Sequence, residues 1–303
     1  MKTLSLHKVT VDFGTVKALT EVDLSFDQGA CLLAGPNGAG KSTLIKVLLG
    51  LNRGSGELTL DGQICAVDNH FKSRLGYLPE APAFAASLSG RQVLRFFARA
   101  RNLPLSRAEE VLERVDLMDA AKRKVRTYSK GMRQRLGLAV AIIADPELLI
   151  LDEPTGGLDQ EGLAVLFSII QERRDKQRIV VITSHDLALM ESKVDTICLL
   201  KRGQVVAFGS ATELRLRAEL PIRVNFQLNP GSTQVHLLIK DIRDWDRVHR
   251  MCHTGENLTV EIPPEDLLVL MDMRTRNAEA VVRLRVEEPG LDQVYQSLLT
   301  EVA

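Results

Sequence analysis

Apolar positions fall into short strand-like runs that alternate with longer stretches of helical period. Residues 3–8 and 21–26 read as strands, with Gly14 in the turn region between them. Residues 30–34, Ala-Cys-Leu-Leu-Ala, are continuously apolar and read as a buried strand. A helix is expected from about 41 to 50, ending at Gly50, with further strands at 56–60 and 75–78. From 90 to 144 the period is mostly helical. Within it, Ser106-Arg107-Ala108-Glu109 reads as a capping box opening a helix that runs to about 117. Strands return at 148–152 and 178–183 around a helical stretch at 160–174, and this alternation implies parallel pairing. Two short strands, 195–200 and 204–208, flank Arg202-Gly203, and a helix carries the chain to about 219.

Pro221 marks a domain boundary, giving one domain over 1–220 and a second over 221–303. In the second, 221–228 alternates as a strand through Ile222, Val224, Phe226 and Leu228, and Asn229-Pro230-Gly231-Ser232 is a turn. Helices expected at 241–252 and 264–275 alternate with strands at 257–262 and 279–287, and a short helix closes 290–300. The pattern is that of a small α+β domain, with no internal repeat or low-complexity segment.

Composition narrows the classes. The chain has 303 residues, room for one large domain or two modest ones, and 45% are apolar, enough for a substantial core. Aromatics are only 4%, which suits an α/β core of Leu, Val and Ile. The 39 basic and 39 acidic residues cancel, so bulk charge gives no support for a nucleic-acid surface, and no nucleic-acid partner is expected. Met1 to Lys8 lack an apolar secretion core. No stretch approaches the roughly 18 to 20 apolar residues needed to span a bilayer. A soluble chain is expected, reaching a membrane only through a partner. The four cysteines, 31, 65, 198 and 252, have no zinc-like or redox-like spacing and read as ordinary thiols of a reducing cytoplasm.

The chemistry is concentrated in two motifs. Gly35-Pro36-Asn37-Gly38-Ala39-Gly40-Lys41-Ser42 matches Gly-x-x-x-x-Gly-Lys-Ser/Thr and sits between a strand and a helix, the context that this pattern needs. Gly35, Gly38 and Gly40 let the backbone turn its N–H groups toward phosphate oxygens. The helix N-terminus adds favourable partial charge, and Thr43 joins the binding set. Lys41 is expected to reach the β and γ phosphates, and the Ser42 hydroxyl to ligate Mg²⁺. Leu148 to Glu153 is an apolar strand ending in two acids. Asp152 is placed to hold Mg²⁺ through water, and Glu153 to orient or deprotonate the attacking water.

Between these motifs lies Tyr128-Ser129-Lys130-Gly131-Met132-Arg133-Gln134-Arg135-Leu136, which resembles the Leu-Ser-Gly-Gly-Gln signature of the ATP-binding cassette (ABC) ATPases. The rest of that family's order is similar. Asp152-Glu153-Pro154-Thr155 with Gly157-Leu158-Asp159 looks like the acidic motif and D-loop, and Ser184-His185 like the switch histidine. Phe13-Gly14 stands where an aromatic stacks on adenine. The resemblance covers about residues 1 to 220. It implies a P-loop NTPase cassette of α/β class, with a mixed sheet core, a helical subdomain at about 80–145 and the small C-terminal α+β domain. It also implies ATP and Mg²⁺ as cofactors and a head-to-tail homodimer. Ser129 and Gly131 would then contact the γ-phosphate held by the other chain. Glu153 would be the general base, His185 would sense the γ-phosphate, and Asp159 would link the two sites. Two departures bear on this. Lys130 and Met132 replace Gly and Gln in the signature. Glu80, in Gly76-Tyr77-Leu78-Pro79-Glu80, replaces a Gln: it can ligate Mg²⁺ but has no N–H to donate.

One cassette without a spanning segment resembles the separate ATPase subunit of a transporter. It would lie peripherally on the cytoplasmic face of the cell membrane, held by an integral permease. Leu88, Val93, Leu94, Phe96 and Phe97 of the helical insert either offer the permease an apolar surface or pack the insert's own core. The motif set with a C-terminal extension is similar to export-type cassettes. Residues 89–99 and the signature look like the ATPase subunit that serves nitrous oxide reductase maturation. The extension reads either as a dimerisation or regulatory module or as a stabilising domain, and Trp245 as a core anchor. The competing class is a soluble ABC ATPase acting on ribosomes or DNA. Its usual second cassette, coiled coils or zinc insertions do not appear in the sequence.

Overall fold

A computed structural model describes residues 1–14 and 16–301. The chain forms two compact units, Met1–Ser210 and Ala211–Ala303. The first opens with β1 (Thr3–Asp12), β2 (Lys17–Asp27) and β3 (Gly29–Ala34), followed by α1 (Lys41–Leu48). Next come β4 (Ser55–Leu60), β5 (Gln63–Ile64), α2 (Asn69–Ser73) and β6 (Leu75–Leu78). The helical insert carries α3 (Gly90–Ala100), α4 (Ser106–Arg114) and α5 (Lys130–Ile142). The chain then returns through β7 (Leu148–Asp152), α6 (Gln160–Asp175), β8 (Ile179–Thr183), α7 (Leu187–Glu191), β9 (Thr196–Lys201) and β10 (Gln204–Gly209).

These strands make two sheets. An antiparallel sheet has the order β2-β1-β4-β5, and a mixed sheet the order β10-β9-β3-β8-β7-β6. In the mixed sheet, β9, β3, β8, β7 and β6 run parallel, and only β10 is antiparallel. Every residue of β8 is buried, as expected of a central parallel strand covered on both faces. Leu4, Leu6 and Phe26 of the antiparallel sheet share one core with Leu33, Ile150 and Val181 of the mixed sheet and with Leu44 and Leu48 of α1. That core fixes the ends of β3, β7 and β8, from which the site is built.

The insert departs from the sequence expectation at its caps. Ser106 is the first residue of α4 rather than its cap, and Leu105 precedes it without a side-chain capping bond. Pro104 starts the turn earlier, its carbonyl accepting from the Arg107 N–H. Glu109 instead pairs with Arg91 and Arg95. The working capping box is at α3: the Ser89 hydroxyl accepts from the Gln92 N–H (3.3 Å), and the Gln92 side chain accepts from the Ser89 N–H (2.8 Å). Of the insert's apolar residues read either as a permease surface or as its own core, Val93 and Leu94 are core, Leu88 and Phe97 are half-buried, and Phe96 is 62% exposed.

The second unit contains α8 (Ala211–Ala218), β11 (Ile222–Leu228), α9 (Gln234–Arg243), β12 (Arg250–Thr254), β13 (Asn257–Ile262), α10 (Leu267–Arg276), β14 (Val281–Glu287) and α11 (Leu291–Glu301). Its antiparallel sheet has the order β12-β13-β11-β14. The division falls at 210/211 rather than at Pro221 because α8 packs against α11. The helix expected at 241–252 is corrected: α9 begins at Gln234, and residues 250–254 are strand. The buried stripe Leu238, Ile239 and Ile242 sets the helix frame, and the helix starts about two turns upstream of the expected position. β12 has almost no apolar alternation, and only its pairing with β13 makes it a strand. Trp245 is half-buried against this unit's core, as an anchor.

Candidate nucleotide site

The phosphate-binding loop spans the gap between β3, ending at Ala34, and α1, beginning at Lys41. Its glycines answer specific demands. Gly38 and Gly40 have φ of 79° and 109°, the left-handed region that glycine adopts without steric cost. At Gly35 a Cβ would lie 2.5 Å from the Leu200 carbonyl oxygen, and at Gly40 one would lie 2.8 Å from that of Ala18. The loop is therefore pressed onto the backbone of β9 and β2. The Gly203 N–H donates to the Ala39 carbonyl (2.8 Å), tying the β9–β10 turn to the loop. Lys41 is buried, and its ammonium donates to the carbonyls of Gly35 (2.5 Å) and Pro36 (3.2 Å). Burial lowers its pKa, and the carboxylates of Glu153 and Asp152 oppose that shift.

Adjacent strand ends supply the acids. β7 ends on Asp152, opposite Thr183 at the end of β8. The Thr183 hydroxyl donates to Asp152 Oδ1 (2.7 Å) and accepts from the Glu153 N–H (2.9 Å). Glu153 has φ of 47°, uncommon for a residue with a side chain. Its carboxylate accepts from the His185 N–H (3.2 Å) and lies 3.2 Å from His185 Nε2. Burial raises the Glu153 pKa, which suits a proton acceptor, while His185 and Lys41 pull it back. Behind them the Tyr77 phenol is pushed up to about 12 by burial, by the Asp152 charge and by its hydrogen bond to Asp152.

These groups converge on one cleft of about 770 Å³. It is lined by Phe13, Asn37, Gly38, Ala39, Gly40, Lys41, Ser42, Thr43, Glu80, Asp152, Glu153 and His185. Phe13 is 58% exposed at its rim, available as a flat apolar platform. Gly35 and Pro36 lie behind the lining, where their carbonyls hold Lys41. Sequence reasoning missed four lining residues: Val16, Lys17, Ala18 and Arg202. The only signal for Arg202 was its place in the turn before Gly203.

Ser129, Gly131 and Asp159 lie outside this lining. Ser129 is exposed and caps α5, its hydroxyl accepting from the Met132 N–H (3.1 Å). That bond uses a lone pair and leaves the hydroxyl proton to be donated. Asp159 caps α6 by accepting from the Gly162 N–H (2.8 Å). At Gly131 a Cβ would lie 2.7 Å from the Gly157 carbonyl oxygen, so the signature and the D-loop pack directly together.

The donor set fits a magnesium nucleotide. No group of three or more His, Cys, Asp or Glu able to hold a metal occurs among the described residues. Ser42, Glu80 and Asp152 nevertheless all line the cleft. Mg²⁺ is commonly held by one or two carboxylates together with substrate phosphates, which is what this set offers.

Fold and site together define a P-loop nucleotide-binding protein. The family model for ABC transporters matches residues 19–156. An ABC transporter ATP-binding protein of Nostoc is 42% identical over 207 residues, 66% of this chain and 62% of that protein, so this chain spans less than two thirds of the relative's length. A daunorubicin resistance ATP-binding protein of Streptomyces coeruleorubidus is 38% identical over 68% of this chain and 69% of its own. The solved structure of an ATP-binding subunit of an ABC transporter superposes with a TM-score of 0.66 at 28% identity, over 71% of this chain and 92% of that one. The chain belongs to the ABC transporter family.

Proposed function

We propose that the chain binds ATP with Mg²⁺ in this cleft, hydrolyses it as one half of a head-to-tail homodimer, and powers an export-type transporter through a separate integral permease. The observation that carries the reading is the division of the motifs. Lys41, Ser42, Asp152, Glu153 and His185 share one cleft, while Ser129, Gly131 and Asp159 lie outside it. Lys41 and the loop N–H groups bind the phosphates. Glu153 accepts the proton of the attacking water, and His185, 3.2 Å from it, orients that carboxylate. Ser42, Asp152 and Glu80 would hold the Mg²⁺, which supplies charge stabilisation of the phosphates when bound. Phe13 stacks on the base. Ser129 donates its hydroxyl proton to the γ-phosphate of the partner's nucleotide, Gly131 donates its backbone N–H there, and Asp159 links the two sites.

No helix among the described residues is long and apolar enough to cross a membrane, so a membrane role requires the permease. The proposal has the chain held by that permease on the cytoplasmic face of the cell membrane. The name of the Streptomyces relative, with its reference to daunorubicin resistance, supports export as the direction. A narrower reading, service to nitrous oxide reductase maturation, is supported only by the likeness of residues 89–99 and the signature. In that stretch Ser89 and Gln92 already serve as a helix cap. Two experiments test the proposal. Lys41→Ala abolishes nucleotide binding in an equilibrium titration, and unchanged affinity contradicts the loop assignment. Affinity purification from gently solubilised membranes recovers a multi-span membrane protein, and recovery of ribosomes or DNA-bound partners instead supports the competing class.

A further inference from the structure

Thr183 ends β8 and is 1% exposed. The four residues before it, Ile179, Val180, Val181 and Ile182, are apolar and equally buried. Packing alone would be served there by a valine of the same shape. The hydroxyl instead has two partners, one for its proton and one for a lone pair. The proton goes to Asp152 Oδ1 at 2.7 Å, and the lone pair takes the Glu153 N–H at 2.9 Å. One buried oxygen thus fixes the last residue of β7 and the first residue beyond it. Glu153 needs such a hold, because its φ of 47° lies where side-chain-bearing residues persist only when the surroundings determine them. The parallel register, with Thr183 opposite Asp152, brings the hydroxyl to both partners.

We propose that Thr183 is a positioning residue for the nucleotide reaction. It orients the carboxylate of Asp152 toward the metal of the bound nucleotide and holds the Glu153 backbone so that its carboxylate faces the cleft beside His185. This rests on the nucleotide-site reading given above. The neighbouring Tyr77, hydrogen-bonded to Asp152, is a second support for the same carboxylate but does not reach Glu153 in the same way. Loss of Thr183 therefore affects both acids, whereas loss of Tyr77 affects one.

The test compares wild type, Thr183→Val and Thr183→Ser in the full chain. A fluorescent ATP analogue is titrated in EDTA, and Mn²⁺ binding to the nucleotide-loaded protein is followed by electron paramagnetic resonance. Thr183→Val keeps the wild-type nucleotide affinity in EDTA. It loses about 10- to 100-fold in Mn²⁺ affinity, the usual range for removing an outer support of a metal ligand. Its kcat falls with KM little changed, and Thr183→Ser restores both readouts. Wild-type Mn²⁺ affinity and kcat in Thr183→Val overturn the proposal. So does an equal loss of nucleotide affinity with and without the cation, which marks general damage to the fold. A serine variant as defective as the valine variant also overturns it. A wild-type chain that binds no nucleotide sinks the nucleotide reading itself along with the proposal.

Discussion

At the scale of single residues, the site depends on a few groups held in unusual states. Lys41 is buried with its ammonium on two loop carbonyls, which on the proposed reading it exchanges for phosphate oxygens. Glu153 is half-buried in a left-handed backbone conformation with His185 against its carboxylate. Glu153→Gln keeps the shape and removes the proposed proton acceptor. ATP binding is expected to persist while turnover falls by at least 10²-fold, the lower range for general-base loss. A steady-state assay with near-normal hydrolysis would remove Glu153 from that role. Much of this was readable in the sequence because the loop and the acidic pair are contiguous and fixed in spacing. Thr183, Tyr77 and Arg202 were not, because strand register and turn packing bring them in from separate elements. Thr183 did leave one trace, a hydroxyl ending an otherwise apolar strand.

At the scale of elements, the insert and α6 show where local rules and tertiary contacts diverge. The Ser106 pattern has the form of a capping box, yet Pro104 starts the turn first and Glu109 is drawn into pairing with two arginines of α3. The box that forms, at Ser89, is tested by Ser89→Ala. That change is expected to cost about 1 kcal/mol in a denaturant melt, the usual worth of an N-cap. α6 carries a larger liability. Arg173 is fully buried and pairs at 2.6 Å with Asp145, which lies between α5 and β7. Asp145→Ala removes the near partner, leaves Arg173 the Glu172 carboxylate at 3.8 Å, and should cost about 2 kcal/mol, the usual worth of a hydrogen bond to a charged group. A loss below about 0.5 kcal/mol, typical of surface substitutions, would mean that other groups compensate. The C-terminal unit was the least readable part. β12 is an edge strand with polar residues, so only its pairing identifies it.

At the scale of the whole molecule, acid sensitivity and assembly can be separated. Arg74 forks onto Glu147 with bonds of 2.7 and 2.8 Å, and this hydrogen bonding holds the Glu147 carboxyl down at about 2 from its ordinary 4.5. A depressed folded pKa contributes stability that is complete above the unfolded value and is lost as pH falls toward the folded one. Glu147→Gln should therefore be less stable at neutral pH, with the gap to wild type closing between pH 4.5 and 2 in thermal melts. A gap independent of pH would assign the loss to packing instead. Assembly bears on function more directly. The cleft is lined by the loop, the two acids and His185 but not by Ser129, Gly131 or Asp159, and on the proposed reading one copy therefore carries half of each site. The most direct test is the solution mass of Glu153→Gln by light scattering, with and without Mg²⁺ and ATP. A shift from one-chain to two-chain mass only when both are present, abolished by adding Lys41→Ala, is the predicted result. A single-chain mass under all conditions, together with normal wild-type turnover at concentrations where the protein is monomeric, would contradict the composite site.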